Sequence, residues 1–233
     1  MQSTIIFRQL FDERTWTYSY IIGETISHKA IIIDPVRDQV DRDILLLEEL
    51  GLKLSFILDT HIHADHITGS GILREKTGAS IIMGEWSKIA KPDILIKDSQ
   101  TITLGDIHIQ AISTPGHTDS CTSFITEDMV FTWDTLLIRK TGRTDFQWGS
   151  AEILYQSIQQ KLYTLPDNTR VFPGHDYTGR MMSTIWEEKL YNTRIRHDTK
   201  KEDFILTMSL IKLESPKYID IALPANRVFW MPV

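Results

Sequence analysis

A chain of 233 residues, 42% hydrophobic and 24% charged, has the length and composition of a large globular domain rather than of a disordered or fibrous protein. Its formal net charge of -6 argues against broad binding to nucleic acid or to anionic membranes, because neither attracts an acidic surface. The single cysteine, Cys121, excludes an internal disulfide and a multi-thiolate metal site, so any metal must bind through His, Asp or Glu.

The chain shows no membrane, secretory or multidomain signal. No apolar run approaches the roughly 20 residues that a membrane helix needs, and residues 1–7 lack the basic and apolar regions of a secretory signal. We therefore expect a cytoplasmic protein. No repeat, low-complexity segment or Gly/Ser linker marks a boundary, which favours a single domain over residues 1–233.

The first third of the chain predicts short strands and then a helix. Apolar, β-branched runs separated by polar turns predict strands over residues 3–8, 15–22 and 29–33. Apolar residues then recur at helical spacing and predict an amphipathic helix over residues 37–50. A short apolar run, 54–58, predicts a buried strand that leads directly into Asp59, Thr60 and His61.

Strands and helices alternate through the rest of the chain. Helices are predicted near residues 67–76, 151–163 and 183–191. Strands are predicted near residues 80–83, 101–104, 108–113, 122–126, 129–133 and 170–172. Strand runs interleaved with helices predict an α/β fold of the αββα sandwich type, with two sheets covered by helices.

Five of the eight histidines lie in three short polar segments. They are His61, His63, His66, His117 and His175. The first three, together with Asp65, occupy six positions directly after a predicted buried strand, and so many polar groups are costly to bury unless something pairs them. Imidazole suits iron and zinc, and a carboxylate completes such a site. Asp134, which directly follows the apolar run 129–133, is the candidate carboxylate.

The pattern His-x-His-x-Asp-His over residues 61–66 resembles the signature of the metallo-β-lactamase superfamily. The later positions of that family correspond to His117, Asp134 and His175, and the resemblance covers most of the chain. In the two-zinc hydrolases of the superfamily, such as glyoxalase II, this set of groups binds two zinc ions, which the carboxylate of Asp134 would bridge.

A narrower resemblance competes with that one. The run Gly-Arg-Thr-Asp-Phe-Gln at 142–147 and the segment Pro-Gly-His-Asp-Tyr at 173–177 are similar to the persulfide dioxygenase branch of the superfamily. This resemblance implies that one Fe(II) is bound by His61, His117 and Asp134. It also implies that the second metal position is empty and that the iron is surrounded by His63, Asp65, His66 and His175.

The implied reaction is oxidation of glutathione persulfide by O₂ and water to glutathione and sulfite. Two imidazoles and one carboxylate leave iron positions for substrate and O₂, whereas zinc is redox-inert. Glutathione is anionic, so an acidic enzyme needs local basic groups. The family positions that contact glutathione correspond to Arg143, Tyr177 and Arg194, and a guanidinium can hold a carboxylate with two hydrogen bonds.

Two positions depart from the branch, and two other functions stay open. Family members usually have Gly at Trp133 and commonly Cys at Thr141, which bears on the identity of the substrate more than on the metal. The alternative enzyme is a two-zinc thioester hydrolase of the glyoxalase II type. A third class is a catalytically silent sensor that keeps the metal. The resemblance also implies a homodimer, to which the apolar tail 228–233 could contribute.

Overall fold

The computed structural model describes residues 5–87 and 90–229. The first two residues of the predicted strand 3–8 and residues 230–233 of the apolar tail lie outside this part of the chain. The strands are β1 (Ile5–Asp12), β2 (Thr17–Glu24), β3 (Lys29–Ile33), β4 (Lys53–Leu58), β5 (Ser80–Gly84), β6 (Ile94–Ile96), β7 (Thr101–Leu104), β8 (Ile107–Ser113), β9 (Thr122–Thr126), β10 (Met129–Trp133), β11 (Arg170–Pro173) and β12 (Ser183–Thr184). The helices are α1 (Val40–Glu49), α2 (Ser70–Thr77), α3 (Ala151–Gln160), α4 (Ile185–Tyr191), α5 (Lys201–Leu210) and α6 (Ile219–Val228).

The chain divides into two compact units. The first contains the described residues up to Ile96, Thr101–Ile109 and those from Ser215 onward, and the second contains Lys97–Gln100 and Gln110–Glu214. Among the described residues, no helix has both the length and the apolar character needed to cross a lipid bilayer.

The first unit is organised by a sheet of order β1-β2-β3-β4-β5-β6. Strands β1 to β3 pair antiparallel, whereas β3 to β6 pair parallel. The register pairs Ile33 of β3 with Leu58 of β4. Because parallel strands end at the same edge, the residues that follow, Asp34 and Asp59, come side by side there.

The second sheet has the order β12-β11-β10-β9-β8-β7, of which β7 and the start of β8 belong to the first unit. Strands β10 and β11 are parallel, with Phe131 opposite Phe172 and a register shift before Trp133. Trp133 has φ +45°, in the left-handed region, as expected at a bulge that re-aims the following side chain. The ends of β10 and β11 therefore bring Asp134 and His175 to one edge of the sheet.

Most predicted elements are present, with shifted ends. The predicted helix 37–50 begins with a 3₁₀ turn, Arg37–Gln39, before α1, and the predicted helix 67–76 begins only at Ser70. Helix α3 begins after Ser150, whose side chain accepts a hydrogen bond from the Ile153 amide. The sequence did not predict α5, which is apolar around much of its circumference, or α6, which contains Pro224. It did not predict β6 either, and β12 takes the first two residues of the predicted helix 183–191.

Asp43 on α1 makes the stability of the folded protein depend on pH. Its side chain is fully buried, and although Oδ1 accepts hydrogen bonds from Arg42, Oδ2 has no hydrogen-bond partner among the described residues. Burial outweighs Arg42 and raises the pKa of Asp43 from its ordinary value of 3.8 to about 6. The folded protein therefore binds more protons than the unfolded chain between these values. This group's contribution to stability is full below pH about 4 and is lost as the pH rises through about 6.

Replacing Asp43 by asparagine is expected to raise the free energy of unfolding at pH 7 by about 1–2 kcal/mol, because a buried charge is removed. It should also flatten the change in stability between pH about 4 and 6. Urea unfolding of both proteins at several pH values measures this, with Asp41→Asn on the exposed side of the same helix as the control. A lower stability of Asp43→Asn at pH 7 would contradict the expectation.

Candidate functional site

The loop after β4 gathers three imidazoles in the first unit. The rings of His61 and His63 have centroids 4.3 Å apart, and those of His63 and His66 are 4.5 Å apart. All three residues are buried. The hydroxyl of Thr60 lies 3.1 Å from Nδ1 of His61. The clustering predicted for the segment 61–66 is therefore present.

Two buried carboxylates lie beneath this loop. Oδ1 of Asp34 accepts a hydrogen bond from the Thr60 amide and lies 2.8 Å from Nε2 of His63. Asp59 accepts from the hydroxyls of Thr68 and Ser70 at 2.9 and 2.7 Å. Burial, and next the charge of Asp34, raise the pKa of Asp59 to about 7. No role was predicted for Asp34 from the sequence. Its position directly after an apolar strand, like that of Asp59, could have indicated that it belongs to the site.

Asp65 and His66 form a second pair at the same loop. Nδ1 of His66 lies 2.9 Å from Oδ2 of Asp65, which is also 3.4 Å from the Thr17 hydroxyl. His63, Asp65 and His66 each offer one ligand atom within 4.8 Å of the other two. The first unit therefore contains a donor set that has the chemistry to hold a metal ion.

His117 and Asp134 come together in the second unit. Nε2 of His117 lies 3.4 Å from Oδ2 of Asp134, and the other ring nitrogen, Nδ1, lies 2.8 Å from the Arg143 carbonyl. A carbonyl partner fixes the proton on Nδ1 and so directs the lone pair of Nε2 towards a metal. Oδ1 of Asp134 is shielded from solvent and has no hydrogen-bond partner among the described residues. An orphaned carboxylate oxygen beside an oriented imidazole fits a metal ion.

The close contacts of residue 142 explain why the run 142–147 begins with glycine. The amide of Gly142 donates to the Asp134 carbonyl at 2.8 Å, so the two segments touch along their backbones. A Cβ at this position would lie 2.1 Å from that carbonyl oxygen and 2.9 Å from Nδ1 of His117. Only glycine fits this approach without displacing both metal-binding candidates.

His175 lies between two aromatic rings. The indole of Trp133 meets it edge-on, with centroids 5.3 Å apart, and the ring of Tyr177 stacks parallel to it at 6.1 Å. Nε2 of His175 is 3.6 Å from Oδ1 of Asp134. The indole also occupies the space that a side chain at Gly174 would need. Trp133 therefore restricts the position of His175. The backbone of Trp133 itself has a conformation that favours glycine.

The predicted substrate contacts differ in what they already bind. Arg143 holds Asp145 through two 2.6 Å hydrogen bonds, donates to the carbonyls of Leu213 and Glu214, and lies over the Phe146 ring. This guanidinium lowers the pKa of Asp145.

Arg194 is half-buried and donates to the Thr141 carbonyl, and burial lowers its pKa. Tyr177 is exposed. Cys121 is buried, and burial raises the pKa of its thiol to about 12, so it is not a reactive thiolate.

Comparison with known proteins supports the resemblance seen in the sequence. Residues 17–175 match the model of the metallo-beta-lactamase superfamily. The chain is 43% identical over 225 residues to a Bos taurus protein named persulfide dioxygenase ETHE1, mitochondrial, covering 95% of this chain and 87% of that protein. Its Homo sapiens counterpart is 42% identical over the same shares.

Solved structures agree. The crystal structure of ETHE1 from Myxococcus xanthus matches with a TM-score of 0.92 and 47% identity, over 95% of this chain and 98% of that one. A metallo-beta-lactamase from Staphylococcus aureus matches with a TM-score of 0.88 and 26% identity, over 99% and 74%. These matches confirm the predicted α/β metallo-β-lactamase fold. The chain belongs to the metallo-β-lactamase superfamily and, within it, to the family of the persulfide dioxygenases.

Proposed function

We propose that this protein is a glutathione-dependent persulfide dioxygenase. It oxidises glutathione persulfide with one O₂ and one water, giving glutathione, sulfite and two protons. The observation that carries the proposal is the 43% identity to persulfide dioxygenases over 95% of the chain. This identity is higher than the 26% shared with another member of the superfamily, the Staphylococcus aureus protein.

We propose that one Fe(II) is held by His61, His117 and Asp134. The orphaned Oδ1 of Asp134 and the carbonyl-fixed ring of His117 support this choice. Two imidazoles and one carboxylate are the ligand set of non-haem iron oxygenases, and they leave positions for substrate and O₂. Bound iron supplies the redox chemistry with O₂ that zinc lacks.

Around these ligands, other side chains orient groups and exchange protons. Asp34 fixes the ring of His63 at Nε2, and Asp65 fixes the ring of His66 at Nδ1. His175 faces Oδ1 of Asp134. Because the reaction consumes water and releases protons, we propose that His66 and His175 pass protons at their ring nitrogens.

We propose that the carboxylates of glutathione bind Arg194 and accept a hydrogen bond from the hydroxyl of Tyr177. Arg143 contacts the substrate once a substrate carboxylate replaces Asp145 as its partner. Arg194 is the favoured contact, because its guanidinium is half-buried and holds a backbone carbonyl rather than a carboxylate. A carboxylate ligand would thus complete its charge pairing.

Replacing Arg194 by lysine is expected to raise KM for glutathione persulfide about tenfold while kcat stays near that of the wild type, because lysine keeps the charge but loses the two-pronged contact. Steady-state kinetics at several substrate concentrations measure this. Lys189→Arg, at a surface ion pair, is the control. An unchanged KM would remove Arg194 from the proposed substrate site.

The experiment that tests the function is oxygen uptake by the Fe(II)-loaded protein. Uptake should depend on glutathione persulfide and yield one sulfite per O₂. The second candidate, a two-zinc thioester hydrolase, is favoured by one observation: His63, Asp65 and His66 form a donor set of their own. Two zinc ions per chain, with hydrolysis of S-lactoylglutathione and no oxygen uptake, would establish it. Metal binding with neither activity would indicate a sensor.

We also propose a homodimer, from the resemblance to the branch, and a cytoplasmic location and a single domain over residues 1–233, from the lack of a membrane, secretory or linker signal in the sequence. Light scattering of the purified protein measures its mass in solution, and cell fractionation its location. A monomer, or a protein recovered with membranes, would contradict the first two proposals. Limited proteolysis that released one of the two units in folded form would contradict the third.

A further inference from the structure

The side chain of Asn226, on α6, forms hydrogen bonds with the backbone of the loop after β4. The two segments belong to the same unit but lie far apart in the sequence. Nδ2 of Asn226 donates to the carbonyl of His63 at 2.9 Å and to that of His66 at 2.8 Å, while Oδ1 accepts from the Thr68 amide at 2.9 Å. The residue is buried, and the two carbonyls are 163 and 160 positions away in sequence. Both amide hydrogens and the oxygen are thus used on one loop.

The bonded segment needs such an anchor. Between His63 and His66 the backbone lies outside the described helices, strands and bridges, so no regular structure satisfies its polar groups. Asp34 fixes the start of the loop at the Thr60 amide, and Asp59 holds the Thr68 side chain. Asn226 is the anchor that α6 contributes, and it holds backbone atoms on both sides of Asp65.

We propose that Asn226 is a positioning residue that couples the docking of α6 to metal binding. The proposal rests on the proposed function in one respect: His61, in the loop that Asn226 orders, is taken as an iron ligand. If docked α6 favours the ordered loop, and the ordered loop favours the metal, then bound metal must favour docked α6 by the same free energy. A primary amide is required, because a carboxylate would lack both donors and would face two carbonyl oxygens.

The test measures affinity for Fe(II) under anaerobic conditions by chelator competition, and the Co(II) absorption spectrum as a report of ligand geometry. Asn226→Ala and Asn226→Asp are expected to bind Fe(II) about 10- to 100-fold more weakly, the usual effect of losing a partner behind a metal ligand. The Co(II) bands should shift as well. The control is Asp220→Asn, at an exposed position of the same helix. It should leave the docking of α6 intact and the Fe(II) affinity within about twofold of the wild type.

A second measurement begins with the wild-type protein, and that part of it does not depend on any variant's folding. In the wild-type protein, bound Fe(II) should slow hydrogen exchange of the α6 amides, and in Asn226→Ala this protection should be lost. Wild-type affinity in Asn226→Ala, or α6 exchange that is the same with and without Fe(II), would overturn the proposal. Fe(II) binding without persulfide oxidation would instead overturn the function and leave the coupling intact.

Discussion

Replacing Asp134 by asparagine is expected to abolish persulfide oxidation and to weaken Fe(II) binding by more than about 100-fold. Loss of a partner behind a ligand already costs about 10- to 100-fold, and here the ligand's own charge is lost. The substitution keeps the shape of the side chain, and the Asp134 backbone carbonyl still accepts from Gly142. The protein should therefore remain folded.

Metal analysis after anaerobic loading and oxygen uptake measure the two effects, and thermal unfolding verifies the fold. The matched control is Asp128→Asn, which removes an exposed carboxylate paired with Arg170 in the same unit. Such surface pairs contribute little, so its iron content and activity should equal those of the wild type. If Asp134→Asn kept its iron and its oxygen uptake, Asp134 would not be a ligand.

The types of residue in the site were predictable because they sit at places that local sequence marks. Asp59, Asp134 and His175 each follow an apolar run directly, or within two residues, and such runs become buried strands whose ends share an edge. The three-histidine loop was marked by its density of polar groups. An alternating or continuous apolar pattern thus predicts both the strand and the position of the functional group that follows it in the sequence.

What holds those residues was not predictable from local patterns. Asn226 contacts a loop about 160 positions earlier, and the Arg143 carbonyl orients His117 across 26 positions. A backbone carbonyl leaves no mark on composition, and one asparagine in an unpredicted helix looks like any polar residue. The positive φ of Trp133 was hidden for the same reason, since it follows from a register shift between β10 and β11.

The resemblance supplied Arg143 as a substrate contact, and the structure adds a different use for it. Its guanidinium ties Asp145 and the carbonyls of Leu213 and Glu214 together, which fixes the backbone whose carbonyl holds His117. The substrate role remains a prediction. In the run 142–147, the first residue thus allows a close approach to the Asp134 carbonyl, and the second supplies the carbonyl that holds His117.

Replacing Gly142 by alanine is expected to lower kcat/KM for persulfide oxidation about 10²-fold, the typical cost of a displacement of about 1 Å at a catalytic group. The new Cβ would overlap the Asp134 carbonyl and press on His117, so the contact between the two segments must open. Overpacking of this kind costs about 1–3 kcal/mol of stability, which a folded domain tolerates. The variant should fold, bind Fe(II) more weakly and show an altered Co(II) spectrum.

The control for Gly142→Ala is Gly51→Ala. Gly51 has φ +63°, and a Cβ added there would meet nothing within 4 Å, so alanine costs about 1 kcal/mol of backbone strain and creates no clash. Its stability should fall by a similar amount while its oxygen uptake stays at the wild-type level. Comparison of the two variants separates a general loss of stability from displacement of the ligands. Equal activity in both would mean that the approach of residue 142 to Asp134 does not position the metal site.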